Sequence, residues 1–190
     1  MGHKFNPKNK NVLSSVERLK DLPPDKILQD IGVERGSLFV DVGCGTGHFS
    51  LPALDIVGKE GKVYALDVSQ EMLDSLIDKS GSPKGSNLKT LRSREYEFLL
   101  SAEIADYVLM SSVLHEVDNP TRFLEEGIRV LKKQGKIIVI EWIKADMDSG
   151  PPKEHRISLD ETKKIVNDLG LAVIRASNIN EKYYMIVCEK

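Results

Sequence analysis

The chain has little of what marks secreted, membrane or nucleic-acid-coating proteins. It has two cysteines, Cys44 and Cys188, among 190 residues. That is too few for a disulfide framework or a zinc site. No apolar run approaches the roughly 18–20 residues a spanning helix needs, so no membrane span is expected. Met1 to Lys10 is polar and lacks the apolar centre of a secretory signal. Neither charge sign dominates, since 27 Lys and Arg face 29 Asp and Glu. Nothing therefore demands nucleic acid as an obligate partner. What remains is a domain of ordinary size that can bury a core without staples, expected in a reducing cytoplasm.

Asn6 to Asn11, rich in Lys, Asn and Pro, reads as an exposed arm. Val12, Leu13, Val16, Leu19 and Leu22 follow at helical spacing. Pro23-Pro24 stops that pattern, and Pro24 suits the start of a second helix closed by Gly32. Residues 1–34 are thus expected to form an arm and helices packed on or over the active site. Residues 35–190 would form the main domain.

That domain alternates. Strands are expected at Leu38–Val40, Lys62–Asp67, Leu88–Leu91, Ala105–Met110, Lys136–Trp142, Leu171–Ala176 and Tyr183–Glu189. Helices are expected at His48–Val57, after Ser69, at Pro120–Leu131 and from Ser158 to Leu169. Alternation of this kind gives an α/β three-layer sandwich with parallel pairing. Only a short turn at Asn178 to Glu181 joins the last two strands, too little for a parallel crossover. The expected fold is a Rossmann-like, mostly parallel seven-stranded sheet with an antiparallel C-terminal strand.

Gly43, Gly45 and Gly47 lie between the first strand and its helix. Glycine there permits a tight turn and close backbone approach to a ligand. Free N–H groups at the helix start would suit an anion, either a pyrophosphate or an amino-acid carboxylate. The dinucleotide pattern G-x-G-x-x-G would need its third glycine where His48 stands. The spacing is G-x-G-x-G instead, headed by Asp41. Asp67 ends the second strand, where a carboxylate can accept two ribose hydroxyls.

Val40 to Gly47 and Val63 to Leu73 resemble motifs I and II of class I S-adenosylmethionine-dependent methyltransferases. Val113-Leu114-His115-Glu116-Val117, followed by Phe123 to Lys132, is similar to the later signature of the subgroup containing the quinone-biosynthesis methyltransferases. The resemblance covers residues 25–190. It implies that Gly43, Cys44, Gly45 and Gly47 surround the methionine part of S-adenosyl-L-methionine and that Asp41 helps hold its ammonium group. It implies that Val68 and Met72 flank adenine and that Ser111 faces the methyl group. The family's acid after the third strand is replaced here by Arg92-Ser93-Arg94-Glu95-Tyr96, so Ser93, Arg94 and Glu95 are all candidates for the adenine amino group. No metal is implied.

Methyl transfer gains much of its rate from holding the acceptor in line with the methyl group. A general base is needed only if the acceptor must lose a proton. His115, a few residues beyond the fourth strand, is the candidate base. Trp142 is placed either to wall an acceptor or to fill the gap after its strand. The long loop Lys144 to His155 and the arm with His3, Lys4 and Phe5 are positioned to cover the mouth. His48 is expected to pack at a helix start, and Tyr183 and Tyr184 to be core or edge residues. Lys4, Lys8, Lys10, Arg18 and Lys20 alternate with Glu17 and Asp21 and read as a solvated face. The expected function is methylation of a small-molecule acceptor. RNA or protein methylation, or non-catalytic S-adenosylmethionine binding, are the alternatives, and a homodimer is left open.

Overall fold

The computed structural model describes residues 16–81 and 87–190. The expected arm, the helix start at Val12 and most of the Ser80–Asn87 loop lie outside the described residues. Two helices precede the sheet: α1 (Val16–Asp21) and α2 (Pro24–Ile31). Pro24 opens α2, and Gly32 closes it at φ 80°, a left-handed conformation that suits glycine.

Seven strands follow: β1 (Leu38–Val42), β2 (Lys62–Asp67), β3 (Leu88–Arg92), β4 (Ala105–Ser111), β5 (Leu131–Trp142), β6 (Ala172–Asn178) and β7 (Tyr183–Glu189). The helices among them are α3 (Ser50–Val57), α4 (Gln70–Ser80), α5 (Pro120–Val130) and α6 (Leu159–Asp168). The spatial order is β3-β2-β1-β4-β5-β7-β6. The first five strands pair in parallel, whereas β7 runs antiparallel to both β5 and β6. The expected reversed C-terminal strand is therefore present, wedged between its two neighbours.

Side chains alternate across the sheet, as the period of two requires. Phe39 joins a core on one face with Leu28, Ala53 and Leu76. Val40 joins a core on the other with Leu66, Leu124 and Val166. Among the described residues no helix is long and apolar enough to cross a membrane.

Strand and helix ends shift by a residue or two from the sequence reading, and three local departures bear on the fold. The helix expected from His48 begins at Ser50, because residues 45–49 form turns that complete the glycine loop. β5 begins at Leu131 rather than Lys136. Leu131 pairs with Ala105, the register then shifts, and pairing resumes at Lys136. Gln134 takes φ 62° within that irregularity. Ser69 occupies the N-cap position of α4 without a side-chain capping bond. Its backbone N–H instead donates to Asp67 Oδ1 at 2.9 Å. By contrast, Ser158 caps α6 as expected and forms a reciprocal capping box with Glu161.

Gly47 shows why this loop needs its last glycine. Its φ is 91°, and a Cβ would stand 2.2 Å from Leu76 Cδ1 and 3.3 Å from Leu51 Cγ. Leu76 is wholly buried and cannot swing away. Gly47→Ala is expected to lower unfolding stability by about 1–3 kcal/mol through backbone strain and overpacking. Urea denaturation checks this, and an unchanged midpoint would refute it.

Candidate active site

Parallel strands bring their C-terminal ends to one edge of a sheet, where open α/β folds bind ligands. Here that edge carries the glycine loop after β1, Asp67 ending β2, Ser111 ending β4 with Ser112 just after it, and Glu141-Trp142 ending β5. Because β7 is reversed, its first residue, Tyr183, reaches the same edge and pairs with Trp142. A cavity of about 770 Å³ opens among these residues, the size of a small-molecule site.

The glycine loop is rigidly tied. Gly43 and Cys44 donate their N–H groups to the Leu66 carbonyl at 2.8 and 2.9 Å, and Gly47 donates to the Cys44 carbonyl at 3.0 Å. Gly45 donates to Asp67 Oδ2 at 2.9 Å. Gly43, Cys44 and Gly45 line the cavity. Gly47 and Asp41, expected at the cofactor, do not line it. Gly47 packs under α4, as described above. Asp41 lies beneath the loop, 2% exposed, and accepts a hydrogen bond from Ser50 Oγ at 2.6 Å. The Ser50 backbone N–H also faces it. Burial pushes the Asp41 carboxyl up to about 6, against the pull of Ser50. The anion at the start of α3 is thus a side chain of the protein itself.

Asp67 does face the cavity. Burial raises its pKa, while N–H donors from Ser69 and Gly45 oppose the rise. Each carboxylate oxygen keeps a lone pair for a further donor, so the group still suits a pair of ribose hydroxyls. Val68, Met72, Ser93, Arg94 and Glu95 stand alongside it on the wall. Ser93 also donates its N–H to the Asp67 carbonyl at 3.0 Å. Arg94 reaches outward to Glu97 at 2.8 Å.

Ser111 and Ser112 carry the clearest sign of a polar ligand. Both hydroxyls are buried without a hydrogen-bond partner, and both residues line the cavity. Buried polar atoms of this kind are rare because they lose water without compensation. Ser112 also holds φ 57°, strain of the sort that collects at functional sites. Ser112 was not singled out from sequence, since neither its φ nor its burial is written in local composition.

His115 sits in a short turn of helix, Leu114–Glu116, and lines the cavity. Its Nδ1 is 2.8 Å from Glu141 Oε2. Glu141 has no solvent exposure and accepts N–H groups from Leu114 at 2.8 Å and Trp142 at 3.1 Å. The carboxylate fixes the ring and leaves Nε2 as the outer nitrogen, 3.9 Å from Glu116 Oε1. Burial depresses the His115 pKa, but the charge and hydrogen bond of Glu141, helped by Glu116, outweigh it and raise the net value.

The remaining wall is aromatic and apolar. Trp142 and Tyr183 pack with ring centroids 4.3 Å apart. Gly150 lies so close over Trp142 that a Cβ would meet the ring at 2.8 Å. The loop bearing Gly150, Pro151 and Pro152 is held down by Arg156, which is 3% exposed. Arg156 donates to the carbonyls of Pro151, Ile143, Ala145 and Ser149 at 2.8–3.1 Å. Its guanidinium also stands 5.7 Å from the Trp142 ring. The long loop is therefore a stapled wall, Trp142 both fills its gap and lines the cavity, and Tyr183 is both core and wall. Cys44 is buried, and burial raises its thiol pKa well above the usual range, which removes it as a nucleophile. His48 donates from Nε2 to the Leu22 carbonyl at 2.8 Å, which ties the segment after α1 to the glycine loop.

Arg18 corrects the reading of α1. Val16 and Leu19 are 69% and 48% exposed, whereas Leu22 is fully buried. Arg18 is four residues before Leu22 and shares its face. Its side chain lines the cavity, with Nε buried, so it is not part of a solvated face. The placement of Arg18 on the Leu22 face was the available signal. Among the described residues no cluster suited to a metal ion occurs.

This topology and this edge define a Rossmann-like nucleoside-binding protein whose glycine loop, strand-ending acid and reversed β7 match S-adenosylmethionine enzymes. Residues 40–139 match the family model for the methyltransferase domain. A crystal structure of an S-adenosylmethionine-dependent methyltransferase from Aquifex aeolicus is 32% identical, with a TM-score of 0.91 over 97% of this chain and 98% of that one. A demethylmenaquinone methyltransferase from Oceanobacillus iheyensis is 32% identical over 131 residues, 69% of this chain and 55% of the relative. The chain spans about half the length of the curated relatives it matches. A phosphoethanolamine N-methyltransferase from Haemonchus contortus, solved with S-adenosyl-L-methionine, shares the fold at 14% identity and a TM-score of 0.74, over 90% of this chain and 52% of that one. The chain belongs to the S-adenosylmethionine-dependent methyltransferase family, and S-adenosyl-L-methionine is its cofactor.

Proposed function

We propose that this chain methylates a small, ring-bearing acceptor carrying an ionisable hydroxyl. The observation that carries this reading is the second half of the cavity. A wall of Trp142, Tyr183 and Pro151 lines the same cavity as His115, whose ring is fixed by a buried carboxylate. The curated relatives are named demethylmenaquinone methyltransferases, which supports a small-molecule acceptor.

Asp67 would hold the cofactor ribose, with Val68 and Met72 beside adenine and one of Ser93, Arg94 or Glu95 at its amino group. Gly43, Cys44 and Gly45 would pass close to the methionine part, and Ser111 would face the reacting centre. The cofactor supplies an electrophilic methyl group on a sulfonium, which becomes a thioether as the new bond to the acceptor forms. His115 would take the acceptor's hydroxyl proton at Nε2, and Glu141 would stabilise the imidazolium that results. Asp41 and Gly47 would act from beneath the loop by fixing its shape. The aromatic wall excludes water and orients the ring, which accounts for much of the barrier lowering in a displacement of this type. We place the protein in a reducing cytoplasm, where Cys44 and Cys188, both free and buried, stay thiols.

Incubation with methyl-labelled cofactor and cell fractions tests the acceptor class. Label is expected in an organic-extractable small-molecule fraction. Label confined to RNA or protein would overturn the reading.

A further inference from the structure

A bound S-adenosylmethionine brings a carboxylate into the glycine-loop end of the cavity. In many nucleoside-binding folds, amides at a helix start would neutralise such a group. Here four of the loop's glycine and cysteine donors are committed, and so is the start of α3. Asp41 already occupies the start of α3 through Ser50. The N–H groups of Gly43, Cys44, Gly45 and Gly47 all donate within the protein. A buried carboxylate without a cation is costly, so a cation beside the loop would complete the site.

Position decides which cation on the wall supplies it. Arg94 follows β3, beside Asp67, at the ribose and adenine end, and reaches out to Glu97. Lys182 bridges to Asp21 at 2.7 Å and Glu17 at 3.2 Å. His115 is engaged by Glu141 beyond β4. Arg18 enters from α1 at the loop end. It lies close enough to Asp41, under the loop, to favour that carboxylate's charge. It also lies close enough to His48, directly after the loop, to disfavour protonation of that ring. A guanidinium has five donors in a planar fork, so it can serve a ligand carboxylate as well as protein neighbours.

We propose that Arg18, on a helix outside the matched family segment, binds the methionine carboxylate of the cofactor. The inference rests on the cofactor and on no particular acceptor. It makes α1 part of the binding site, because the helix is anchored by Lys182 to Asp21 and by Asn180 to the Asp21 carbonyl.

Calorimetry on the full chain tests it with S-adenosylmethionine and its decarboxylated analogue, which lacks only that carboxylate. The wild-type chain is expected to prefer S-adenosylmethionine by about 10- to 100-fold. Arg18→Gln is expected to erase most of that preference by weakening S-adenosylmethionine binding alone. Arg18→Lys should recover part of it, and both variants should keep the wild-type affinity for the analogue. Equal weakening of both ligands, or an undiminished preference in Arg18→Gln, would overturn the assignment. Effects confined to the acceptor KM would also overturn it and would move Arg18 to the acceptor side. A wild-type chain that bound neither ligand would remove the cofactor reading itself, a result distinct from the others.

Discussion

His115→Asn is expected to lower kcat by about 10²–10⁴-fold, the usual contribution of a positioned general base, with cofactor affinity unchanged. The asparagine keeps polarity and rough size but cannot accept and hold a proton. Single-turnover rates with the cofactor saturating would measure the loss. A variant that kept nearly the full rate would leave His115 as a packing residue. The pH dependence sharpens the test. His115 must be neutral to act as a base, and Glu141 raises its pKa above the ordinary 6.5. The rate should therefore climb through a pKa above 6.5. Glu141→Gln removes the charge and leaves a single acceptor oxygen, so the climb should move to lower pH while the plateau falls. Glu116 and Arg156 also act on the ring, in opposite directions, and both remain in that variant. A climb that stays in place would remove Glu141 as the positioning residue. The same coupling has a stability signature. A histidine raised in the folded state stabilises the fold fully below its unfolded pKa, and that contribution fades as pH rises through the folded value.

Asp67→Ala carries the second large effect. It should weaken S-adenosylmethionine binding by about 10- to 100-fold, the scale of losing charged hydrogen-bond partners. The change also leaves the Gly45 and Ser69 N–H groups without their acceptor, so the glycine loop should loosen and the thermal midpoint should drop. Asp67→Asn retains one acceptor oxygen and should fall between. Calorimetry together with thermal unfolding separates the two losses. An affinity unchanged by either substitution would eliminate the ribose role.

Much of the fold is legible without coordinates because its signals are local. The strand runs, the alternation with helices and the short turn before Tyr183 were enough to place β7 antiparallel. The glycine spacing around Cys44 and Thr46 marked the cofactor, and the acid at Asp67 was legible as the residue proposed for the ribose. Other placements depend on contacts that a motif does not record. Asp41 heads the motif and was expected at the cofactor's ammonium group; it lies off the cavity, where Ser50, nine residues on, donates to its carboxylate. Arg18 read as solvated because charged neighbours flank it, but burial of Leu22 turns its face inward.

The sequence by itself determined the class of fold, the methyl donor and the edge of the sheet where the cavity opens. Each of these depends on periodicity, glycine spacing and turn length, which a chain carries in short windows. Only the tertiary structure decided which glycine packs and which lines the cavity. It alone joined His115 to Glu141, stapled the Gly150 loop through Arg156 and swung Arg18 into the cavity. Those arrangements come from burial and hydrogen bonding between residues that are not neighbours within one helix or strand. Such contacts are settled by packing, and no local pattern in the chain records them.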